Sequence, residues 1–236
     1  MNRLFLLLAA SVLGTGCMDI CDARTVSVGW PSFQLADGTV TSSCTQAHVS
    51  TVNIYLDGQA VTSLPCDSGG VDVDGVPNDG DHLFTVEAID TTTGGITFRD
   101  QVDVSDSNCR NLLEDTQPSQ GTFVLNFSLS PNLCASATDS YIWFTIMDDI
   151  ANQTIAVDGS DTPQAWPCGG GTSTTPVAPS FPLASGSYTL ERTEEVLYSS
   201  STPTELAGNC SAADFDMSGA TQTEVDAPLT DGVSCF

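Results

Sequence analysis

The chain has 236 residues, of which 30 are Asp or Glu and only five are Lys or Arg, giving a formal net charge of −25. No cluster of cations could displace the counterions of a phosphate backbone, so nucleic acid is excluded as a partner. All five basic residues are arginine; without lysine a Lys–Asn isopeptide cross-link is excluded too, and the acidic excess reads as a solvated, self-repelling surface.

In chain order, Arg3 is followed by the apolar run Leu4–Leu13. That run has the length of a signal-peptide core and falls short of the roughly 20 residues needed to span a bilayer. Gly14, Thr15 and Gly16 then lead to Cys17. The stretch resembles a bacterial lipobox, with Gly14 where leucine is usual; cleavage by the general signal peptidase is the alternative. The cysteine count favours the lipobox. Nine cysteines are an odd number for an exported chain, and lipid on Cys17 leaves eight for disulfides in an oxidising compartment. The expectation is a signal peptide over 1–16 and a lipidated tether over 17–24. The protein is then attached to the outer membrane through its lipid, with free secretion as the alternative.

Beyond the tether the apolar periodicity is that of strands. Val26, Val28 and Trp30 alternate with polar residues, as do Val52, Ile54 and Leu56 before an Asp57–Gly58 turn signal, and Phe84, Val86 and Ala88. Phe123, Leu125 and Phe127, then Ile142, Phe144 and Ile146, repeat the pattern. Period two with one polar face predicts antiparallel sheets buried on one side. The stretch "CRNLLEDTQ" (Cys109–Gln117) is expected to form a short helical turn between two domains.

A duplication is written in the cysteines. "SLPCDSGG" (Ser63–Gly70) has a cousin in "AWPCGGG" (Ala165–Gly171), and "DGDHLFTVEAID" (Asp79–Asp90) parallels "ASGSYTLERTEE" (Ala184–Glu195). Asn108–Cys109 and Asn209–Cys210 follow at matching distances, while the gap from Cys134 to Cys168 is longer than that from Cys44 to Cys66, as for a longer hairpin in the second copy. Turns at intervals of about ten residues predict some seven strands per copy. The fold class is therefore all-β: two tandem antiparallel, immunoglobulin-like β-sandwich domains over 25–110 and 121–236, joined by a linker over 111–120. Spacing alone does not fix disulfide pairing. The duplicated landmarks favour Cys44–Cys66 and Cys134–Cys168. Cys21 and Cys109, at the two ends of the first domain, would staple it, which leaves Cys210–Cys235; a Cys109–Cys210 bridge locking the domains together is the alternative.

The segment "GVPNDGDHLFTVEAIDTTTGGITF" (Gly75–Phe98) resembles the final hairpin of bacterial immunoglobulin-like and fibronectin-III-like modules. With its "C…V.V.VDG…PC..GG" core, the chain resembles secreted lipoproteins of myxobacterial-type genomes. The resemblance is good over about 25–105, weaker over 120–200, and lost after Cys210. It implies an exported β-sandwich protein and no particular activity.

Candidate chemistry is sparse. The histidines are His48 and His82, the latter beside Asp79 and Asp81; no nucleophile elbow, HExxH or CxxC occurs. Asp72, Asp74, Asp79 and Asp81 alternate as hard oxygen ligands for Ca2+ would, but the run fails the EF-hand pattern and reads equally as a strand with its acids in water. Tyr141 and Trp143 lie on the face opposite Ile142 and Phe144, a platform for a partner if exposed or packing if a loop covers them. The functional expectation is a non-catalytic cell-envelope module that binds a protein or glycan or spaces surface components. A secreted enzyme or enzyme inhibitor with a site near His82 is the alternative. No cofactor is expected.

Overall fold

In a computed structural model, which describes residues 22–78, 80–105, 112–128, 140–155, 164–167, 179–199 and 202–235, the alternating segments form strands. The first sandwich comprises β1 (Ala23–Gly29), β2 (Phe33–Gln34), β3 (Val40–Thr41), β4 (Val49–Leu56), β5 (Gln59–Pro65), β6 (Gly70–Pro77), β7 (His82–Asp90), β8 (Ile96–Val104) and β9 (Leu112–Asp115). Its core is built from the predicted apolar faces: Val26, Val28, Val52, Ile54, Phe84, Val86 and Ala88 are all essentially inaccessible. Each of the Val, Ile and Phe side chains contributes about 1.5–3 kcal/mol on burial. The Asp57–Gly58 signal makes a two-residue hairpin turn, both residues at positive φ (51° and 76°), the geometry that matches strand twist.

The second sandwich comprises β10 (Gln120–Ser128), β11 (Ser140–Asp148), β12 (Gln153–Thr154), β13 (Gln164–Pro167), β14 (Ser180–Ala184), β15 (Gly186–Ser199), β16 (Thr202–Asn209), β17 (Ala213–Met217), β18 (Gln222–Pro228) and β19 (Thr230–Asp231). Its core is more aromatic. Phe123 packs on Phe181 and Phe215 with ring centroids 5.1 and 5.2 Å apart, and Tyr188 stacks on Phe215 at 5.5 Å. The buried Tyr188 hydroxyl donates to the Ala184 carbonyl at 2.7 Å, and burial, the largest effect, raises its phenol above the ordinary value.

The duplication is one of topology as well as sequence. In the first sandwich the sheets run β6-β1-β9 and β5-β4-β7-β8; in the second, β14-β10-β18 and β13-β11-β15-β16. In both, the first strand pairs antiparallel to one neighbour and parallel to a strand from the end of its sandwich, β9 or β18. The architecture is the immunoglobulin-like sandwich. Its strands are allotted three and four to the sheets, with the first strand central in the three-stranded sheet, whereas immunoglobulin constant domains carry four strands (ABED) against three (CFG). The segment resembling a final hairpin is β7–β8, and β9 follows it.

Two expectations are corrected. Leu112–Asp115 forms no helical turn but β9, paired from Val26↔Leu112 to Gly29↔Asp115. A lone turn cannot meet the cost of helix nucleation, whereas the open edge of β1 offers backbone partners. The polar face of β7 is not in water either: Thr85 and Glu87 are as buried as the core residues between which they lie. Cys44–Cys66 and Cys210–Cys235 are disulfide-bonded, with Cα atoms 6.0 and 5.4 Å apart. Cys17, Cys21, Cys109, Cys134 and Cys168 lie outside the described residues, so the lipid site and the pairs Cys21–Cys109 and Cys134–Cys168 do too. No described helix is long and apolar enough to cross a membrane.

Candidate functional site

The covered face of β7 faces the second sandwich. Strand pairing sets Asn53, Glu87 and Arg99 in one cross-strand row on the outer surface of the four-stranded sheet. Arg99 is fully buried there. Its Nε and Nη2 donate to Glu87 Oε1 at 2.9 and 2.8 Å, and Nη2 also donates to Asp148 Oδ2, across the interface, at 2.6 Å. Nη1 reaches the Ser185 carbonyl at 3.5 Å. Burial alone would lower the Arg99 pKa, but the hydrogen bond and charge of Asp148 outweigh it and hold the guanidinium above its ordinary value. The Asp148 carboxylate is itself fixed, because Oδ1 accepts the N–H groups of Ile150 and Ala151.

The backbone completes the clamp. Ser119 exchanges hydrogen bonds with Arg99 in both directions and accepts one from the Ser185 N–H, so the junction is stitched to both sandwiches. Gly186 allows the close approach. A Cβ there would lie 2.7 Å from Arg99 Nη1 and 2.8 Å from Ile150 Cδ1, and its φ of +149° is unfavourable for other residues.

Beside the clamp a cleft of about 720 Å³ opens between the sandwiches. Its floor is the outer face of the first sandwich, with Asn53, Tyr55, Thr85 and Glu87, extended by Asp90 and Gly94–Gly95 of the β7–β8 hairpin. Its roof is the segment from Asp148 to Ile155, with Phe181–Leu183 of β14. The volume is that of a ligand site, and joints between domains are where such sites occur. Burial and the Glu87 charge push the Tyr55 phenol up. Asp90 is held below the usual carboxylate range: burial, the largest effect, opposes this, and the N–H groups of Thr93 and Thr92 overcome it. Both of those donors go to Oδ1, as does the Thr93 hydroxyl, and Oδ2 accepts none of them.

The equivalent face of the second sandwich is closed. There the row is Trp143, Glu194 and Gly208, so Glu194 stands where Glu87 does. Glu194 is fully buried, its Oε1 accepting the Cys235 N–H, and Arg192 Nη1 donates to the Cys235 carbonyl at 3.4 Å. Where the first sandwich has Arg99 the second has Gly208, on which a Cβ would meet the Val233 carbonyl at 2.8 Å and Cys235 Sγ at 3.1 Å. The C-terminal tail thus lies directly on the sheet, tied by Cys210–Cys235.

The residues singled out from sequence lie elsewhere. Tyr141 and Trp143 are half-buried on this tail-covered sheet. His82 Nδ1 is hydrogen-bonded to Asp57 Oδ2 at 2.8 Å, and Asp57 Oδ1 accepts the Leu83 N–H. Hydrogen bonding to His82, then to Leu83, lowers the Asp57 pKa. The pair pins the β4–β5 turn to β7. His82 Nε2, the atom a general base would use, is buried without a hydrogen-bond partner, and neither histidine lines the cleft. Asp72 and Asp74 lie on the exposed face of β6 and accept the hydroxyls of Ser27 at 2.5 Å and Thr25 at 2.6 Å; Asp81 is exposed and Asp79 lies outside the described residues. No group of three metal-ligating side chains gathers among the described residues.

Sequence reasoning missed Arg99, Glu87 and Asp148, because period two places the first two on a face expected to be wet. The available signal was the longer gap in the second copy. The tight β4–β5 turn corresponds there to the long β11–β13 connection, whose beginning, 149–155, forms the roof.

No protein-family model and no curated protein sequence matches the chain. Among solved structures it is similar to a leucine-rich repeat protein from Bacteroides thetaiotaomicron, with a TM-score of 0.30 and 12% identity over 88% of this chain. The chain spans 26% of that protein's length. A minor pilin of Streptococcus agalactiae is matched at TM-score 0.38 and 12% identity, covering 89% of this chain and 97% of the pilin. A Bacteroides ovatus protein proposed to be an adhesin gives 0.35 and 10%, covering 80% of this chain and 76% of that one.

Proposed function

We propose that the protein is a non-catalytic surface module, held to the outer membrane by lipid on Cys17, that binds a protein or glycan partner in the cleft between its sandwiches. The observation that carries the binding role is the clamp. Arg99, Glu87 and Asp148 are buried together at the joint, and they hold two sheets at a fixed separation around a 720 Å³ space. A pre-formed cleft binds without the entropic cost of assembling a site. The anchor is supported by the apolar run Leu4–Leu13, the small residues before Cys17 and the odd cysteine count.

Gly95 offers a way to block the cleft. A Cβ there meets only Thr93 Oγ1, at an ordinary 3.5 Å, so a side chain can begin at this position of the cleft lining, and Gly95→Trp is expected to occupy the space. Residues 22–236, with disulfides formed, would be applied to arrays of envelope glycans and peptides beside that variant. Hits lost in Gly95→Trp, at an unchanged melting temperature, are expected; hits that persist would move the site elsewhere. Labelling cells with an alkyne fatty acid should mark the wild type and not Cys17→Ala, and equal labelling would end the anchored reading.

A further inference from the structure

The charges around the cleft narrow the partner, on the reading that the cleft is the binding site. Glu87, Asp90 and Asp148 line it and no basic residue does. Glu87 and Asp148 are buried and charge-paired with the fully buried Arg99, so the carboxylate open to a ligand is that of Asp90. The other described arginines are also withdrawn. Arg24 is buried and donates to the Val104 carbonyl, and Arg192 is half-buried against Cys235. The described surface therefore carries no exposed lysine or arginine, while the whole chain has a net charge of −25. Low-dielectric walls focus such a field in a concavity, drawing in cations and turning away anions.

The walls are also aliphatic. Ile89 lies on the floor and Ile150 and Ile155 in the roof. Asp90 stands at the rim, half-buried, with Oδ1 occupied by the Thr92–Thr93 turn and Oδ2 left for a ligand. Saccharide sites favour aromatic platforms, and here Tyr55 is joined only by a nearly buried Phe181. Isoleucine walls beside the Asp90 carboxylate fit a segment that joins a basic side chain to apolar ones. We infer that the cleft takes an extended basic–apolar peptide segment of a partner protein, a cationic group on Asp90 at the rim and its apolar groups among the isoleucines.

The test is calorimetric titration of residues 22–236 at about pH 7.5, where histidine is mostly neutral. Three probes would be used: a capped hexapeptide of alternating lysine and isoleucine, its glutamate–isoleucine counterpart, and cellohexaose. The lysine peptide is expected to bind and the other two not. Asp90→Asn keeps the Oδ1 acceptor of the turn but loses the charge. It should weaken binding about tenfold at low salt, with the difference shrinking as screening rises. Gly95→Trp should abolish binding. If cellohexaose or the acidic peptide binds and Gly95→Trp removes it, the ligand class is wrong while the cleft stands. Equal binding of the lysine peptide to wild type, Asp90→Asn and Gly95→Trp would mean diffuse attraction to an acidic surface and would overturn the inference. So would no binding at concentrations up to about 1 mM.

Discussion

The two sandwiches meet the same problem with different materials. Each places a glutamate at the same point on the outer face of its four-stranded sheet, Glu87 in one and Glu194 in the other, and each buries it. In the first, Arg99 answers the charge and the cover is the neighbouring sandwich, which leaves a cleft. In the second, Gly208 leaves room for the chain's own tail, secured by Cys210–Cys235, and the face is shut. The rows differ at two places, Asn53 against Trp143 and Arg99 against Gly208: the arginine engages the neighbouring sandwich, and the glycine makes room for the tail. A face covered by a separate body can leave space at its margin, whereas the tethered tail packs directly on Glu194 and Gly208.

Removing the charge from the first face should have the largest effect. Arg99→Ala leaves Glu87 and Asp148 buried without a counter-charge, a loss of about 3–5 kcal/mol. Chemical denaturation would show it as a lowered midpoint. The counterpart on the second face is removal of its covalent tie. Cys210→Ala with Cys235→Ala should cost about 3 kcal/mol by loop closure and expose Glu194. Faster amide exchange along β15 and β16, with β7 and β8 unaffected, is the expected signature.

The two glycines allow a finer comparison. Gly186→Ala pushes on Arg99 and Ile150, and Gly208→Ala on the tail at Val233. Each should cost about 1–3 kcal/mol as overpacking. Only Gly186→Ala should also alter the cleft, as ligand titration would show. The smallest effect concerns acid. Asp57 has a folded pKa lowered from 3.8 by His82 and Leu83, so its contribution is complete above the unfolded value and is lost as pH falls through the folded one. Because about half of its side chain is open to water, the contribution is slight. Asp57→Asn should lower stability slightly at neutral pH and remove part of the fall below about pH 4, the two profiles converging in acid.

Much of this fold is legible from residue order. Alternation located β1, β4, β7, β10 and β11, Asp57–Gly58 marked its turn, and the Pro–Cys landmarks found strands that end alike, Pro65 opposite Thr51 and Pro167 opposite Tyr141. The pair Cys44–Cys66 followed from the same landmarks, and Cys210–Cys235 from what the other pairings left over. Burial of the polar faces was not legible. Alternation gives the face of a residue and not what lies over it, so Glu87 and Arg99 look like solvated strand residues until Asp148 is brought to them. β9 was hidden for a related reason: its four residues are strand only because the edge of β1 is there to receive them. Histidine drew attention to His82, where the geometry is a turn brace, and away from Arg99, whose neighbours in sequence are unremarkable.

The central claim is that Arg99 and Asp148 energetically join the two sandwiches and hold the cleft between them. A double-mutant cycle tests it most directly, with unfolding free energies measured for wild type, Arg99→Ala, Asp148→Ala and the double variant. Two residues from independent bodies would give additive losses, whereas a buried charge pair leaves a coupling energy of about 1–3 kcal/mol. The account predicts that coupling, with the double variant less damaged than the sum of the singles. Additivity within about 0.5 kcal/mol would contradict it.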